Sequence, residues 1–539
     1  MKKVKIYKTN EEFEVDEGIS LLDGLLQNGY FVDNPCNGKG TCGKCKIRVV
    51  SGQAGEISSS EKIHLRNHEI EDGLRLACFI TEWDELEVET IQKERETKVL
   101  TKGHIPDFEM EFKEGYGISI DIGTTTVAVS LVDLSNGKTL ADASMVNMQK
   151  NYGLDVLTRI SFAGDDPEGL DKLQGAIVGS INSMIGLVCE EAKISREEIL
   201  DIVVSANTTM AHLLLGVDPA SLGKYPYKPE FTRTQKLLAS EIGIEAGKKT
   251  ILYTLPHVSA FIGSDVVAGV YVAEMEEKKD NQLFIDIGTN GEIVLAKDGK
   301  LYSCSCAAGP ALEGMNISCG MRAEPGAIED VRITSEGIEL KTIDDEQAIG
   351  ICGSGILAVV KELLKTGIVK DRGVFVKKED FSEEDYRYPM IGLNGRKREF
   401  LMCPEKGLII SQDDVRQVQL AKGAILSGFI ALLNVAGITM EDLDVVYVAG
   451  QFGSHLPADS LVGTGILPLA VQDKIEYLGN SAKTGAYMAL MSDKIKKKLD
   501  RLAEEIEYVE LAVTENYENI FRDSMIYPKF VGGEIVEEA

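Results

Sequence analysis

Three cysteines and three glycines crowd one short loop, "PCNGKGTCGKC" at 35–45, and a fourth cysteine follows in "LRLACFI". Cys36, Cys42, Cys45 and Cys78 are spaced C-x5-C-x2-C…C. Four thiolates, two per iron, are what a 2Fe–2S cluster requires. Gly38, Gly40 and Gly43 let the backbone wrap closely and aim N–H groups at the sulfurs. A structural zinc site and a set of buried, inert thiols are the two other readings of these residues. Zinc ligands usually come as paired C-x2-4-C knuckles, and the distal half here offers Cys78 alone.

A second constellation occurs twice. The pentapeptide "IDIGT" stands at 120–124 and again at 285–289, inside "ISIDIGTTTVAVSLVDL" and "LFIDIGTNGEIVLA". In each copy an apolar strand ends in an aspartate, Asp121 or Asp286, and a glycine turn leads into a second strand. Gly123 and Gly288 permit close backbone approach to a ligand. The amides that follow, with Thr124, Thr125, Thr126, Thr289, Asn290 and Gly291, can cradle phosphate oxygens. The aspartates can hold a hydrated Mg2+ that bridges phosphates. One such turn alone is equally a plain hairpin, whereas two in one chain favour the phosphate reading. A repeat this long is too large for a solenoid unit and suits duplication of a whole lobe.

A third element, "DLDVVYVAGQFGSHL" at 442–456, runs an apolar strand into Gly450, Gln451, Phe452 and Gly453. It resembles the adenosine motif of the actin, heat-shock chaperone and sugar-kinase superfamily (ASKHA), with Gln451 where a second glycine is common. A Walker A loop is excluded, because the "GKT" at 137–139 has Val132 at the upstream glycine position. "GICGSG" at 350–355 has the wrong glycine order for a dinucleotide fingerprint and reads as a strand–helix turn near the nucleotide.

The elements around the cysteines fit the first site. "VKIY" alternates, "EFEV" reads as a return strand, and "SLLDGLLQNG" reads as a helix capped by Ser20 and ended by Gly29. With "CKIRVV", "LRLACFI" and "ELEVET" as further strands, the order resembles a β-grasp ferredoxin of the C-x5-C type. The expected fold class is therefore mixed α+β and α/β. An N-terminal β-grasp 2Fe–2S ferredoxin-like domain (1–93) precedes a charged linker (94–113). A duplicated actin-like (ribonuclease H-like) ATPase fold follows, lobe I over 114–280 and lobe II with C-terminal helices over 281–539.

Composition narrows the field. The 539 residues exceed what one core organises. A formal charge of −29 with no basic stripe disfavours nucleic acid. "MKKVKIYKTN" lacks the apolar region of a signal peptide. No uninterrupted apolar run reaches the ~18 residues of a membrane span. Ten cysteines without an export signal point to a reducing cytoplasm.

Taken together, the chain resembles the reductive activators of corrinoid proteins. "NTTMAHLLLGVDP", "LPHVSAFIGSDVVAG", "AAGPALEG", "ICGSGIL", "VQLAKGAI" and "NIFRDSMIYPKF" all look typical of that family. The resemblance implies ATP-dependent reduction of a partner's Co(II) corrinoid to Co(I), so that methyl transfer in a methyltransferase system can resume. It implies one 2Fe–2S cluster, ATP and Mg2+ as cofactors, a corrinoid protein and a low-potential electron donor as partners, and a homodimer. It also implies that Gly309 and Glu313 line the nucleotide pocket. Co(I) is strongly reducing, and for one electron each gap of about 59 mV makes the ratio ten times less favourable, about 1.4 kcal/mol. ATP-driven lobe closure can offset this by changing how the partner's Co(II) state is held.

Rival readings are a sugar- or acetate-type kinase with an accessory ferredoxin domain, an ATP-driven electron donor to another low-potential enzyme, and a nucleotide-binding redox scaffold. The kinase reading needs a catalytic base, for which Asp265 is the candidate. Asp265 could equally orient an attacking water or cap a helix. Cys304, Cys306, Cys319 and Cys352 read as core thiols rather than a second metal site, and His212 and His257 as structural.

Overall fold

Alternation in the first strand already separates core from solvent: in "KKVKI" Val4 and Ile6 are buried and Lys3 is exposed. The computed structural model describes residues 2–536 apart from 8, 10, 29, 31, 33–37, 39, 41, 42, 44, 66, 91–103, 278, 279, 396 and 451–455. The chain divides into two compact units, residues 1–96 with 148–162 and residues 97–147 with 163–539.

In the first unit, β1 (Lys2–Ile6), β2 (Glu12–Val15), β3 (Lys46–Gly52), β4 (Leu74–Leu76) and β5 (Glu85–Thr90) form one sheet in the order β2-β1-β5-β3-β4. β1 is parallel to β5, and its other pairing, with β2, is antiparallel. The helix α1 (Leu21–Gln27) is capped by Ser20, whose hydroxyl accepts from the Asp23 N–H at 3.1 Å. It buries Leu21, Leu22 and Leu25 in the core that also holds Ile47, Leu76 and Trp83. This is the β-grasp arrangement expected from the element order. Asn28 is the C-cap, and Gly29, the next residue, lies outside the described residues.

A buried ion pair braces this unit. Arg75 clasps Glu61 through Nε at 2.8 Å and a terminal nitrogen at 3.0 Å, while the Leu76 N–H donates to the same carboxylate at 2.9 Å. Removing one member of such a pair strands the other charge, so Glu61→Ala should destabilise the unit by about 3–5 kcal/mol. The chain's single tryptophan, Trp83, sits in this core. Its fluorescence in a denaturant titration should show the loss, and an unchanged midpoint would contradict the bracing role.

The second unit contains two six-stranded sheets that share a five-strand order and carry their sixth strand at opposite edges. In the first, β6 (Tyr116–Ile122), β7 (Thr126–Asp133), β8 (Lys138–Val146), β9 (Ile199–Ala206), β10 (Gln235–Leu238) and β11 (Ile251–Thr254) run β10-β11-β9-β6-β7-β8. In the second, β12 (Gln282–Ile287), β13 (Gly291–Lys297), β14 (Lys300–Cys306), β15 (Val445–Ala449), β16 (Ile475–Gly479) and β17 (Ile506–Tyr508) run β16-β15-β12-β13-β14-β17. In both, a central strand has a parallel neighbour on one side and begins an antiparallel meander on the other. The repeated "IDIGT" ends β6 and β12, the corresponding strands. The duplicated, ribonuclease H-like fold is thus present.

Long helices cover the sheets. α2 (Gly169–Ala192) packs on β7 and β8, and α3 (Thr208–Leu215) follows β9. α4 (Ser264–Val272) follows β11, and α5 (Gly353–Lys365) follows the short strand Gly350–Ile351, as "GICGSG" suggests. α6 (Gln412–Ala436) packs on β13 and β14, and α7 (Ser481–Met491) follows β16. α2 and α6 are long and apolar enough to cross a membrane, but α6 is mostly and α2 half buried within this unit. Cys304, Cys306 and Cys352 are core thiols.

One expectation needs correction. The stretch 94–113 reads as a free linker, yet its described part, 104–113, is laid along the second unit. The N–H groups of His104, Glu111 and Lys113 donate to the carbonyls of Leu478, Met491 and Leu134 at 3.0, 2.8 and 3.0 Å. Pro106, Phe108 and Met110 turn inward at alternate positions, Phe108 meeting Tyr487 edge-on. The flanking charges mask that two-residue period in the sequence.

Candidate nucleotide and cluster sites

At the cysteine loop, Cys45 is buried and Cys78 half-buried, with their sulfurs 3.3 Å apart. Gly38, Gly40 and Gly43 all adopt positive φ, at 74°, 72° and 67°, a conformation that favours glycine. Two facing thiols beside a loop shaped by glycine fit an iron–sulfur centre. Cys36 and Cys42 lie outside the described residues, so the structure brings together half of the expected set.

In the second unit the two "IDIGT" turns meet at one carboxylate. Glu313, nearly fully buried, accepts from the Thr125 hydroxyl at 2.9 Å and also from the Thr289 hydroxyl. Each turn is closed by its own backbone: Gly123 N–H donates to Thr126 C=O at 2.8 Å, and Gly288 N–H to Asn290 C=O at 2.9 Å. Gly291 opens β13, and Gly309 caps the short turn that carries Glu313. Gly450 ends the strand beside Asp286 at φ 93°, where a Cβ would stand 2.3 Å from an Asp286 carboxylate oxygen. No side chain fits there. Gln451, Phe452 and Gly453 lie outside the described residues.

Acidic side chains converge on these strand ends. Burial pushes Asp121 up to about 6, opposed by the Asn480 hydrogen bond and the Lys483 charge. Burial and the Asp121 charge push Asp265 up to about 7. Burial, then Asp265 and Asp121, does the same for Asp286, to about 7. Glu292, in register with Asp286 across β12 and β13, is raised well above the usual range by burial, Asp265 and Asp286. Such mutual repulsion is relieved by a cation. Among the described residues no three His, Cys, Asp or Glu side chains gather closely enough to grip a metal ion alone.

Asp265 is not the helix cap. Gly263 caps α4, and Asp265 lies in its first turn, accepting from the Val266 N–H at 2.9 Å. The surface clefts lined by Arg233, His257 and Tyr508, and by Phe108, Tyr271 and Lys498, contain none of the residues at the strand ends.

Sequence reasoning missed four polar residues besides Glu292. Asn147, fully buried, donates to Gly123 C=O at 2.9 Å and fixes the first turn. Asn207 caps α3 and donates to the Thr124 hydroxyl at 3.1 Å. Asn480 caps α7 and donates to Asp121 at 2.9 Å. Lys483, one turn on, reaches Asp142 at 2.9 Å. A signal was available for two of them: "SANTT" and "LGNSAKT" both put an asparagine between a strand and a helix, an N-cap signature.

Three family models cover most of the chain. Residues 4–81 match the 2Fe–2S iron–sulfur cluster binding domain, 116–278 the RACo middle region, and 280–532 the C-terminal domain of RACo, the ASKHA domain. The corrinoid activation enzyme RamQ of Eubacterium limosum is 35% identical over 419 residues, which span 77% of this chain and 70% of that one. The chain belongs to the family of reductive activators of corrinoid proteins. A [Co(II) methylated amine-specific corrinoid protein] reductase of Methanosarcina barkeri is 26% identical, over 76% of this chain and 77% of the relative. A solved structure of a reductive activator for corrinoid, iron–sulfur protein superposes with a TM-score of 0.69 at 29% identity, covering 98% of this chain and 99% of that one. As in that family, a ferredoxin-like domain precedes the duplicated ASKHA fold.

Proposed function

We propose that this chain reactivates corrinoid proteins by ATP-dependent reduction, taking the partner's cobalt from Co(II) to Co(I). The observation that carries the reading is that one chain joins a cluster-binding domain to a duplicated fold whose two phosphate turns are clasped by a single residue, Glu313. Cys36, Cys42, Cys45 and Cys78 would hold the 2Fe–2S cluster, which when bound supplies one-electron chemistry. Thr124, Thr125, Thr126, Thr289, Asn290 and the glycines 123, 288 and 291 would bind the phosphates of ATP, and the motif Gly450, Gln451, Phe452 and Gly453 would take the nucleoside. Asp121 and Asp286 would hold Mg2+ through its waters, and Asp265 would position the attacking water. Gly309 shapes the turn that presents Glu313 to both lobes. The chain draws its electrons from a low-potential donor and works in the reducing cytoplasm.

If nucleotide closure is coupled to the partner, hydrolysis by the protein alone should be slow and should rise on adding a corrinoid protein in the Co(II) state. By linkage, a nucleotide state that tightens partner binding is itself bound tighter by the same factor. Phosphate release measured with and without Co(II) and methylated corrinoid protein tests this, with ADP and inorganic phosphate as the expected products. A phosphorylated organic product, or a rate indifferent to the partner, would favour the kinase or scaffold reading.

A further inference from the structure

Asp121 belongs to the first lobe, but what orients its carboxylate comes from a segment that leaves the second. β16 closes one edge of the second sheet, save for its own neighbour β15, and ends at Gly479. Asn480 follows, and α7 then packs against β6 and β9 of the first sheet. The Asn480 side chain is almost fully buried and spans this crossing. Its Oδ1 accepts from the Lys483 N–H at 2.8 Å, and its Nδ2 donates to Asp121 Oδ2 at 2.9 Å. The N–H donor at one end fixes which end is oxygen, so the amide presents its NH2 to the carboxylate. Lys483 then pins the same helical turn to β8 through Asp142, which also accepts from the Ser130 hydroxyl.

We propose that Asn480 is a positioning residue for Mg2+-nucleotide. It commits one oxygen of Asp121, leaving Oδ1 as the oxygen that would face the metal's water shell, and ties the end of β16 to the first lobe's phosphate turn. Any shift of β16 relative to β6 on lobe closure therefore moves or releases Asp121. Asn207, which caps the helix after β9, holds the Thr124 hydroxyl rather than Asp121.

The inference rests on the strand ends being the Mg2+-nucleotide site, and its test separates the two. Asn480→Ser keeps a side-chain acceptor for the helix cap but is too short to reach Asp121. Nucleotide affinity is measured by calorimetry on the full-length holoprotein, with Mg2+ and with a chelator, beside the thermal midpoint. The serine variant should keep the wild-type midpoint and its affinity for metal-free ATP, and lose about tenfold in affinity for Mg2+-ATP, the weight of one hydrogen bond to a charged group. Asn480→Ala should lose both stability and Mg2+-ATP affinity, and Asn480→Thr makes the same distinction should the serine variant not fold. Wild-type Mg2+-ATP affinity in the serine and threonine variants would reduce Asn480 to a helix cap and overturn the proposal alone. Absence of Mg2+-ATP binding in the wild type would overturn the site as well.

Discussion

Asp286→Asn should reduce Mg2+-dependent ATP hydrolysis by about 100-fold or more, the usual scale for removing a charge-positioning group, and leave the visible spectrum of the cluster intact. Asp286 ends the central strand of the second sheet, faces Glu292 across the ladder, and presses against Gly450 so closely that no Cβ fits between them. Burial beside Asp265 and Asp121 pushes it up to about 7, and a cation here would relieve that repulsion. Replacing carboxylate by amide preserves shape and removes the charge that orders the metal's waters. Asp121→Asn should act likewise, since Asp121 holds the equivalent position. Phosphate release and the absorption spectrum, measured on one preparation, check both variants. Wild-type rates would mean that the phosphate site lies elsewhere.

Cys78→Ala should abolish corrinoid reduction outright, and Cys42→Ala likewise. A 2Fe–2S cluster needs all four thiolates, and Cys78 faces Cys45 at 3.3 Å. The purified wild-type protein should be red-brown, with two irons and two acid-labile sulfides per chain. A colourless protein holding a single zinc would contradict the assignment. Nucleotide affinity should survive in both cysteine variants, because these cysteines and the aspartates fall in different compact units.

The cluster domain was legible because its chemistry is local: three cysteines within ten residues and glycines at the tight turns leave few alternatives. The duplicated fold was legible from one repeated pentapeptide, whose copies end corresponding strands of two sheets that share a five-strand order. What the sequence hid was distant in the chain. Asn480 lies far beyond Asp121 in sequence, and nothing in "LGNSAKT" announces that its amide reaches across to the first lobe. Glu292 was hidden differently: its position opposite Asp286 follows from strand register, and its counterpart opposite Asp121 is Ala128. The inward period of Pro106, Phe108 and Met110 was masked by the charges between them.

The cobalt spectrum offers the most direct test. A corrinoid protein poised as Co(II) is mixed anaerobically with this protein, a low-potential reductant, Mg2+ and ATP, and the cobalt absorption is followed. Conversion to Co(I) should require ATP, should fail with Asp286→Asn although the cluster is reduced, and should fail with Cys78→Ala although ATP is bound. Conversion at the same rate without ATP, or with either variant, would contradict the claim that one chain uses nucleotide to drive an electron onto a corrinoid partner.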